Sequence, residues 1–262
     1  MGNDNVKKIL LVSFSLSIFC SVLVCGSAIS LKELQKSNKA LDIKRNLLIS
    51  SGVINSSVTE KEEILKAYER VTELAVDINS GSIADGVDIK NLDARKLAKV
   101  SGENIVLNSN DDLAKIKTIS KVSKVYLVKN SSNKVEKIVL PIHGKGLWST
   151  MYGFLALAPD TKTIKGLGFY EHGETPGLGG EIDNPSWKKQ WVNKVVLDGK
   201  NNPQIVVVKG QVDHSNSANY NKVDGLSGAT ITSNGVQALV NFWVSDNGFG
   251  PFLAKYRNGE VL

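Results

Sequence analysis

Near the C-terminus the chain reads DGLSGATITSNG, from Asp224 to Gly235. The stretch holds four hydroxyls, those of Ser227, Thr230, Thr232 and Ser233, but no Lys, Arg, His or Cys. No G-x-S-x-G elbow surrounds these serines, which makes a lipase-type nucleophile a poor reading. No GxxxxGK[ST] signature is present, which excludes a P-loop kinase on pattern. Two readings remain. Ser and Thr before a helix are good caps. Alternatively, free backbone amides at the helix start, with Gly228 allowing close backbone approach, form an anion site suited to phosphate.

The second stretch with unusual chemistry is GFYEHGETPGLGGEIDNP, Gly168–Pro185. A loop this rich in Gly is either a tight sheet connection or backbone laid against a flat ligand. In the second case Glu174, Thr175 and Leu178 offer side-chain contacts. Trp148, in GKGLWSTMYG, is either core or a ring stacked beside that ligand. His143 and His172 lack clustered partners in sequence and read as structural. Glu171 and Glu174 are three apart, but inside a Gly loop that spacing fixes no geometry. No catalytic residue and no metal ligand set is expected.

Periodicity places these stretches. Val236, Leu239, Val240 and Trp243 follow the i, i+3, i+4, i+7 pattern, so SGATITSNG leads into the N-terminus of an amphipathic helix stopped by Asp246-Asn247-Gly248. From Ser120 onward, KVYLVKN, EKIVLPIHG, YGFLALAP, IKGLGFYEHG, NKVVLDG and QIVVVKG are short β-rich runs broken by turn residues. They predict a mostly antiparallel sheet, and the lack of βαβ alternation argues against a Rossmann fold. Upstream, Thr59 and Glu62 form a capping-box pattern. Ile64, Tyr68, Val71 and Ala75 then predict one helix face. Leu31–Gly52 reads as an outward extension of the apolar helix that precedes it, ending at Ser50-Ser51-Gly52.

Ile9–Ile29 carries no charge, and about 20 apolar residues suffice to span a bilayer. Lys7 and Lys8 precede it and favour a cytoplasmic N-terminus, although Lys32, Lys36 and Lys39 follow it. A cleaved signal is the competing reading, given the small residues Gly26–Ala28, but the apolar run exceeds the usual ~7–15 residues. Val24 before Cys25 argues against a lipoprotein site. Either reading exports the remainder. The expected organisation is a cytoplasmic N-terminus (1–8), a transmembrane helix (9–29), a helical part (30–119) and a ligand-binding domain (120–262). The expected class is α+β: one membrane helix, then a mixed domain with mostly antiparallel sheet and flanking helices.

The 262 residues contain 42% hydrophobic and 22% charged residues, which suits a globular core and not a disordered chain. The net charge of +6 comes from scattered lysines without a basic run, so nucleic acid is not an expected partner. Both cysteines, Cys20 and Cys25, lie inside the apolar stretch, which argues against a zinc or iron–sulfur site.

DGLSGATITSNGV matches the [ST]-G-A-[TS] flavinylation motif of FMN-binding domains in membrane redox complexes. NKALDIKRNLL, PIHGKGLWSTMYGFLAL, GFYEHGETPGLGGEIDNPSW and FWVSDNGFGPFL extend the likeness over nearly the whole chain. Together they resemble the C subunit of the sodium-translocating NADH:quinone reductases. The flavinylated G subunit of the related ferredoxin:NAD electron-transport complexes is the alternative; it is usually shorter and lacks the GFGPFL ending. The resemblance implies FMN joined to Thr230 by a phosphoester. It implies Asp224, Ser227, Gly228 and Ala229 as recognition and fitting residues, and attachment outside the cytoplasm by a flavin transferase using FAD. Partners would be the other membrane subunits of the complex. Electrons from NADH would pass through this FMN toward ubiquinone, coupled to sodium export by multi-span partners. A membrane-anchored structural or assembly protein without flavin is the rival from another class.

Overall fold

The computed structural model describes residues 3–213 and 215–261. Met1–Ile43 and Lys44–Leu262 are two separate units. The described part of the first unit is helical and belongs to α1, which as an element runs Asn3–Ser50. From Ile9 to Ile29 every residue is exposed and apolar or small, and α1 is long and apolar enough to cross a membrane. Its C-terminus ends as the sequence predicts. Gly52 takes φ +65°, its amide bonds Ile49 O at 2.9 Å, and Val53 N bonds Leu48 O at 2.8 Å. This is a Schellman closure, which needs a left-handed residue at the position Gly52 occupies.

After the last turns of α1 (from Lys44), the second unit continues with α2 (Lys61–Tyr68) and β1 (Val71–Asp77). Here the expectation of one continuous helix through Ala75 is corrected. Val71 and Ala75 belong to a strand paired antiparallel with β4. The β-branched pair Val71-Thr72 suits a pleated strand, and the ladder to β4 outweighs a helical period that the same residues also satisfy. Thr59 is not the cap either. Glu60 holds the N-cap position of α2 and makes no side-chain capping bond.

After α3 (Ala94–Leu97) and the hairpin β2 (Asn104–Val106) and β3 (Thr118–Ser120), four long strands follow: β4 (Val122–Lys129), β5 (Val135–Lys145), β6 (Thr150–Leu157) and β7 (Ile164–Glu171). The five-stranded sheet has the order β1-β4-β5-β6-β7 and is antiparallel throughout. Because β1 is one of its edges, residues on both sides of position 120 share the sheet. A short 3₁₀ turn (Gly179–Asp183), α4 (Pro185–Gln190), β8 (Val206–Val208), β9 (Lys222–Asp224), α5 (Thr230–Val244) and α6 (Gly250–Arg257) complete the unit. Two expected β runs shrink. NKVVLDG makes only isolated bridges, Thr163 to Val195 and Leu197 to Pro203. QIVVVKG gives the three-residue β8, which pairs in parallel with β9.

The expected α5 face is buried: Val236, Leu239 and Val240 are fully inside and Trp243 is 3% exposed. Trp191, Phe242, Phe249 and Phe252 are also fully enclosed. Each such side chain contributes roughly 1.5–3 kcal/mol of transfer free energy. Close approach of α5 to β5 depends on glycine. A Cβ on Gly144 would lie 2.6 Å from Leu239 Cβ, and one on Gly235 would lie 2.6 Å from Lys145 O. Trp243 Nε1 then donates to His143 O at 2.7 Å and fixes the far end of the helix.

Candidate functional site: the first turn of α5

The chain leaves β9 at Asp224, turns through Gly225–Ala229 and enters α5 at Thr230. Gly228 takes φ +68°, a conformation that L side chains rarely adopt. Ala229, 5% exposed, holds the N-cap position and offers no side-chain cap. The expected hydroxyl cap is therefore corrected. The first helical amide bond is Ser233 N to Ala229 O at 2.9 Å. The amides of Thr230, Ile231 and Thr232 precede it and have no intrahelical acceptor, as at any helix start.

The reason lies in where the hydroxyls go. Ser233 Oγ accepts Leu226 N at 3.0 Å and closes the preceding turn. Thr232 Oγ1 donates to Glu174 Oε2 at 2.6 Å. Thr230 and Ser227 are exposed, and no hydrogen bond among the described residues engages either hydroxyl. Thr230 lines a cleft of about 710 Å³, within the range of small-molecule sites.

One wall of that cleft is Val207–Gln211, another is Asp224–Gly228, and α4 supplies Trp187 and Gln190. Asp224 ties these walls together. Its Oδ2 accepts Gln190 Nε2 at 2.9 Å, its Oδ1 accepts Val212 N at 2.7 Å, and its carbonyl accepts Trp187 Nε1 at 2.8 Å. Gln190 Oε1 accepts the Asp224 amide at 3.0 Å. Lys209 is the cation among the cleft-lining residues.

The Gly loop is placed differently from a simple ligand contact. Glu174 is 5% exposed. Its carboxylate accepts Leu147 N (3.1 Å), Trp148 N (3.0 Å), Ser149 N (3.2 Å) and the Thr232 hydroxyl. Burial pushes this carboxyl up, but the Thr232 hydroxyl and the three amides outweigh burial and hold it below its ordinary value. It is a charged internal tie and does not line the cleft. Thr175 is exposed, and its carbonyl accepts Leu178 N and Gly180 N. Leu178 is 45% exposed and overhangs the SGAT turn, its Cδ2 lying 2.9 Å from where a Gly228 Cβ would stand. Trp148 is not core: it is 66% exposed, beside Leu147 on the turn that Glu174 holds.

His172 is structural. It accepts Glu174 N on Nδ1 at 3.2 Å, so its Nε2 carries the proton and donates to Asp183 Oδ2 at 2.8 Å. His143 stacks on Tyr152 and lies 4.9 Å, centroid to centroid, from Trp243. Among the described residues no group of His, Cys, Asp and Glu could hold a metal ion. The motif residues Asp224, Ser227, Gly228 and Thr230 thus line one cleft, with Leu178 beside them; Glu174 and Trp148 lie outside its lining, Glu174 tied to α5 through Thr232 and Trp148 tied to Glu174. Reading the motif did not find Thr232, Gln190 or Trp187. Only the spacing of Thr232, two residues after Thr230, could have marked it.

Residues 146–245 match the family model of the FMN-binding domain, and this span holds Glu174, the cleft and α5. The fold and site define a flavin-binding domain preceded by a helix able to cross a membrane. The chain is 44% identical over 262 residues to the C subunit of the Na(+)-translocating NADH-quinone reductase of Vibrio parahaemolyticus, covering 99% of this chain and 98% of that protein. It is 42% identical to the corresponding C subunit of Yersinia pestis, with 99% and 96% covered. Among solved structures, that of Shewanella oneidensis NqrC matches with a TM-score of 0.77 at 32% identity, over 85% of this chain and 99% of that one. The chain belongs to the NqrC family, the C subunits of the Na(+)-translocating NADH-quinone reductases.

Proposed function

We propose that the chain is the FMN-carrying electron-transfer subunit of a Na(+)-translocating NADH-quinone reductase, with FMN joined to Thr230 through a phosphoester. The observation that carries the attachment point is the start of α5: an exposed Thr230 hydroxyl on a cleft, at a helix N-terminus that no side chain caps. The residues fit the group. A phosphodiester keeps one negative charge, and the free amides and dipole of the helix start stabilise it by ~0.3–1 kcal/mol. Gly228 and Ala229 add almost no side-chain bulk beside Thr230, leaving its hydroxyl open to a flavin transferase that uses FAD. FMN, when bound, supplies the redox chemistry, and the protein supplies position and electrostatics. The chain's own residues hold the cleft walls, through Asp224, and the first turn of α5.

NADH oxidation and quinone reduction belong to the whole complex. Between Ile9 and Ile29, α1 has no Asp, Glu, Lys, Arg or His, the types that line ion pathways inside membranes, so sodium passes through partner subunits. Lys7 and Lys8 before the apolar span support a single-pass inner-membrane topology with Lys44–Leu262 on the periplasmic side. The alternative, a flavin-free assembly protein, makes opposite predictions. Co-expressed with a flavin transferase, the wild-type chain gives a fluorescent band in denaturing gels, and Thr230→Val abolishes it. An unmodified Thr230 peptide in the mass spectrum of that preparation refutes the attachment.

A further inference from the structure

Thr232 and Thr230 are two residues apart, about 200° around a helix at 3.6 residues per turn. They therefore point to nearly opposite sides of the first turn of α5. Thr232 is fully buried and tied to Glu174, whereas Thr230 is exposed on the cleft. Fixing the one displays the other. The same carboxylate holds the amides of Leu147, Trp148 and Ser149, so one side chain joins the β5–β6 turn, the Gly loop and α5. The surroundings leave little slack. A Cβ on Gly146 would lie 2.5 Å from Glu174 Oε1, and one on Gly179 would lie 2.6 Å from Thr232 Oγ1.

From this geometry we infer that Glu174 is a positioning residue for cofactor attachment: through Thr232 it sets the rotation of α5 that presents the Thr230 hydroxyl to the cleft, and through three amides it locks the β5–β6 turn to the same carboxylate. The inference rests on the reading of Thr230 as the attachment point. All four groups facing the carboxylate act as donors, so Gln cannot replace it. The amide nitrogen of Gln accepts from none of them, and at least one backbone N–H is left without an acceptor.

The test uses the full-length chain, expressed without transferase and then treated with transferase and FAD. Thr232→Val removes only the hydroxyl at constant shape, Thr232→Ser restores it, and Glu174→Gln spoils the carboxylate. Two quantities are read at a temperature where all variants are folded. The first is the initial rate of flavin attachment. The second is hydrogen exchange of the Leu147–Ser149 amides in the flavin-free protein. Thr232→Val and Glu174→Gln are expected to slow attachment about tenfold, on the scale of one lost charge-assisted hydrogen bond, and Thr232→Ser to recover it. Exchange at Leu147–Ser149 rises in both slow variants. A purely structural tie lowers the melting temperature while the folded protein is loaded at the wild-type rate, and that result overturns the inference. Should the wild-type chain take no flavin, the attachment reading fails, and the exchange arm still decides whether Glu174 couples the turn to α5. Unchanged exchange in Thr232→Val overturns the coupling.

Discussion

The imidazole of His143 stacks on Tyr152 and packs at a tilt against Trp243, while the carbonyl of the same residue anchors the far end of α5. Burial lowers its pKa from 6.5 to about 4, and the guanidinium of Arg95, stacked 3.3 Å from the Tyr152 ring centroid, adds to the effect against a weaker pull from Asp112. The folded state thus keeps His143 neutral where the unfolded chain binds a proton. Stability rises with pH wherever the unfolded state binds more protons. The contribution of this site is complete above the unfolded pKa of 6.5 and is lost as pH falls toward about 4. At ~1.36 kcal/mol per tenfold, the loss is about 1.4 kcal/mol at pH 5.5 and about 2.5 kcal/mol at pH 4.5. His143→Phe keeps a flat ring and cannot titrate. Chemical denaturation of the detergent-solubilised chain, followed by tryptophan fluorescence, gives the stability of both proteins, since Trp187, Trp191 and Trp243 are buried. The stability difference between wild type and variant is expected to shift by these amounts on going from pH 7.5 to 4.5, the wild type losing more. A difference that stays level over this range refutes the neutral-histidine reasoning.

Gly179→Ala drives a methyl group against the Thr232–Glu174 bond; a cost of roughly 1.5–3 kcal/mol is expected for losing a hydrogen bond to a charged group, read as a drop in denaturation midpoint. Flavin attachment should fall with it, and an unchanged midpoint would show that the Gly loop yields freely. Asp224→Ala removes the acceptor for Gln190 Nε2 and Val212 N and loosens α4 from β9. A destabilisation of about 1–3 kcal/mol and slower loading of Thr230 are expected, measured by denaturation and by in-gel flavin fluorescence.

Local patterns were legible where local physics decides. The apolar run Ile9–Ile29, the Gly52 stop and the buried face Val236, Leu239, Val240 and Trp243 each follow from residues close in sequence. Val71–Asp77 did not, because its helical period and its strand alternation coexist, and only the register with β4 chooses between them. The parallel pair β8–β9 was hidden for a different reason: three-residue strands carry too little pattern to name a partner.

The opening motif shows where composition misleads. Four hydroxyls at a helix start argue for capping, and by propensity alone any of them could serve. The structure spends Ser233 on the turn behind the helix and Thr232 on a carboxylate 58 residues away in sequence. The N-cap falls to Ala229, which has nothing to give. A helix start built in this way leaves its positive end without a cap, and Thr230, like Ser227 in the turn before it, keeps a hydroxyl that no hydrogen bond among the described residues engages. On the proposed attachment at Thr230, an anion site here depends less on the presence of Thr230 than on the contacts that occupy its neighbours. This is why a motif of small and hydroxylic residues needs the distant Glu174 to become a site.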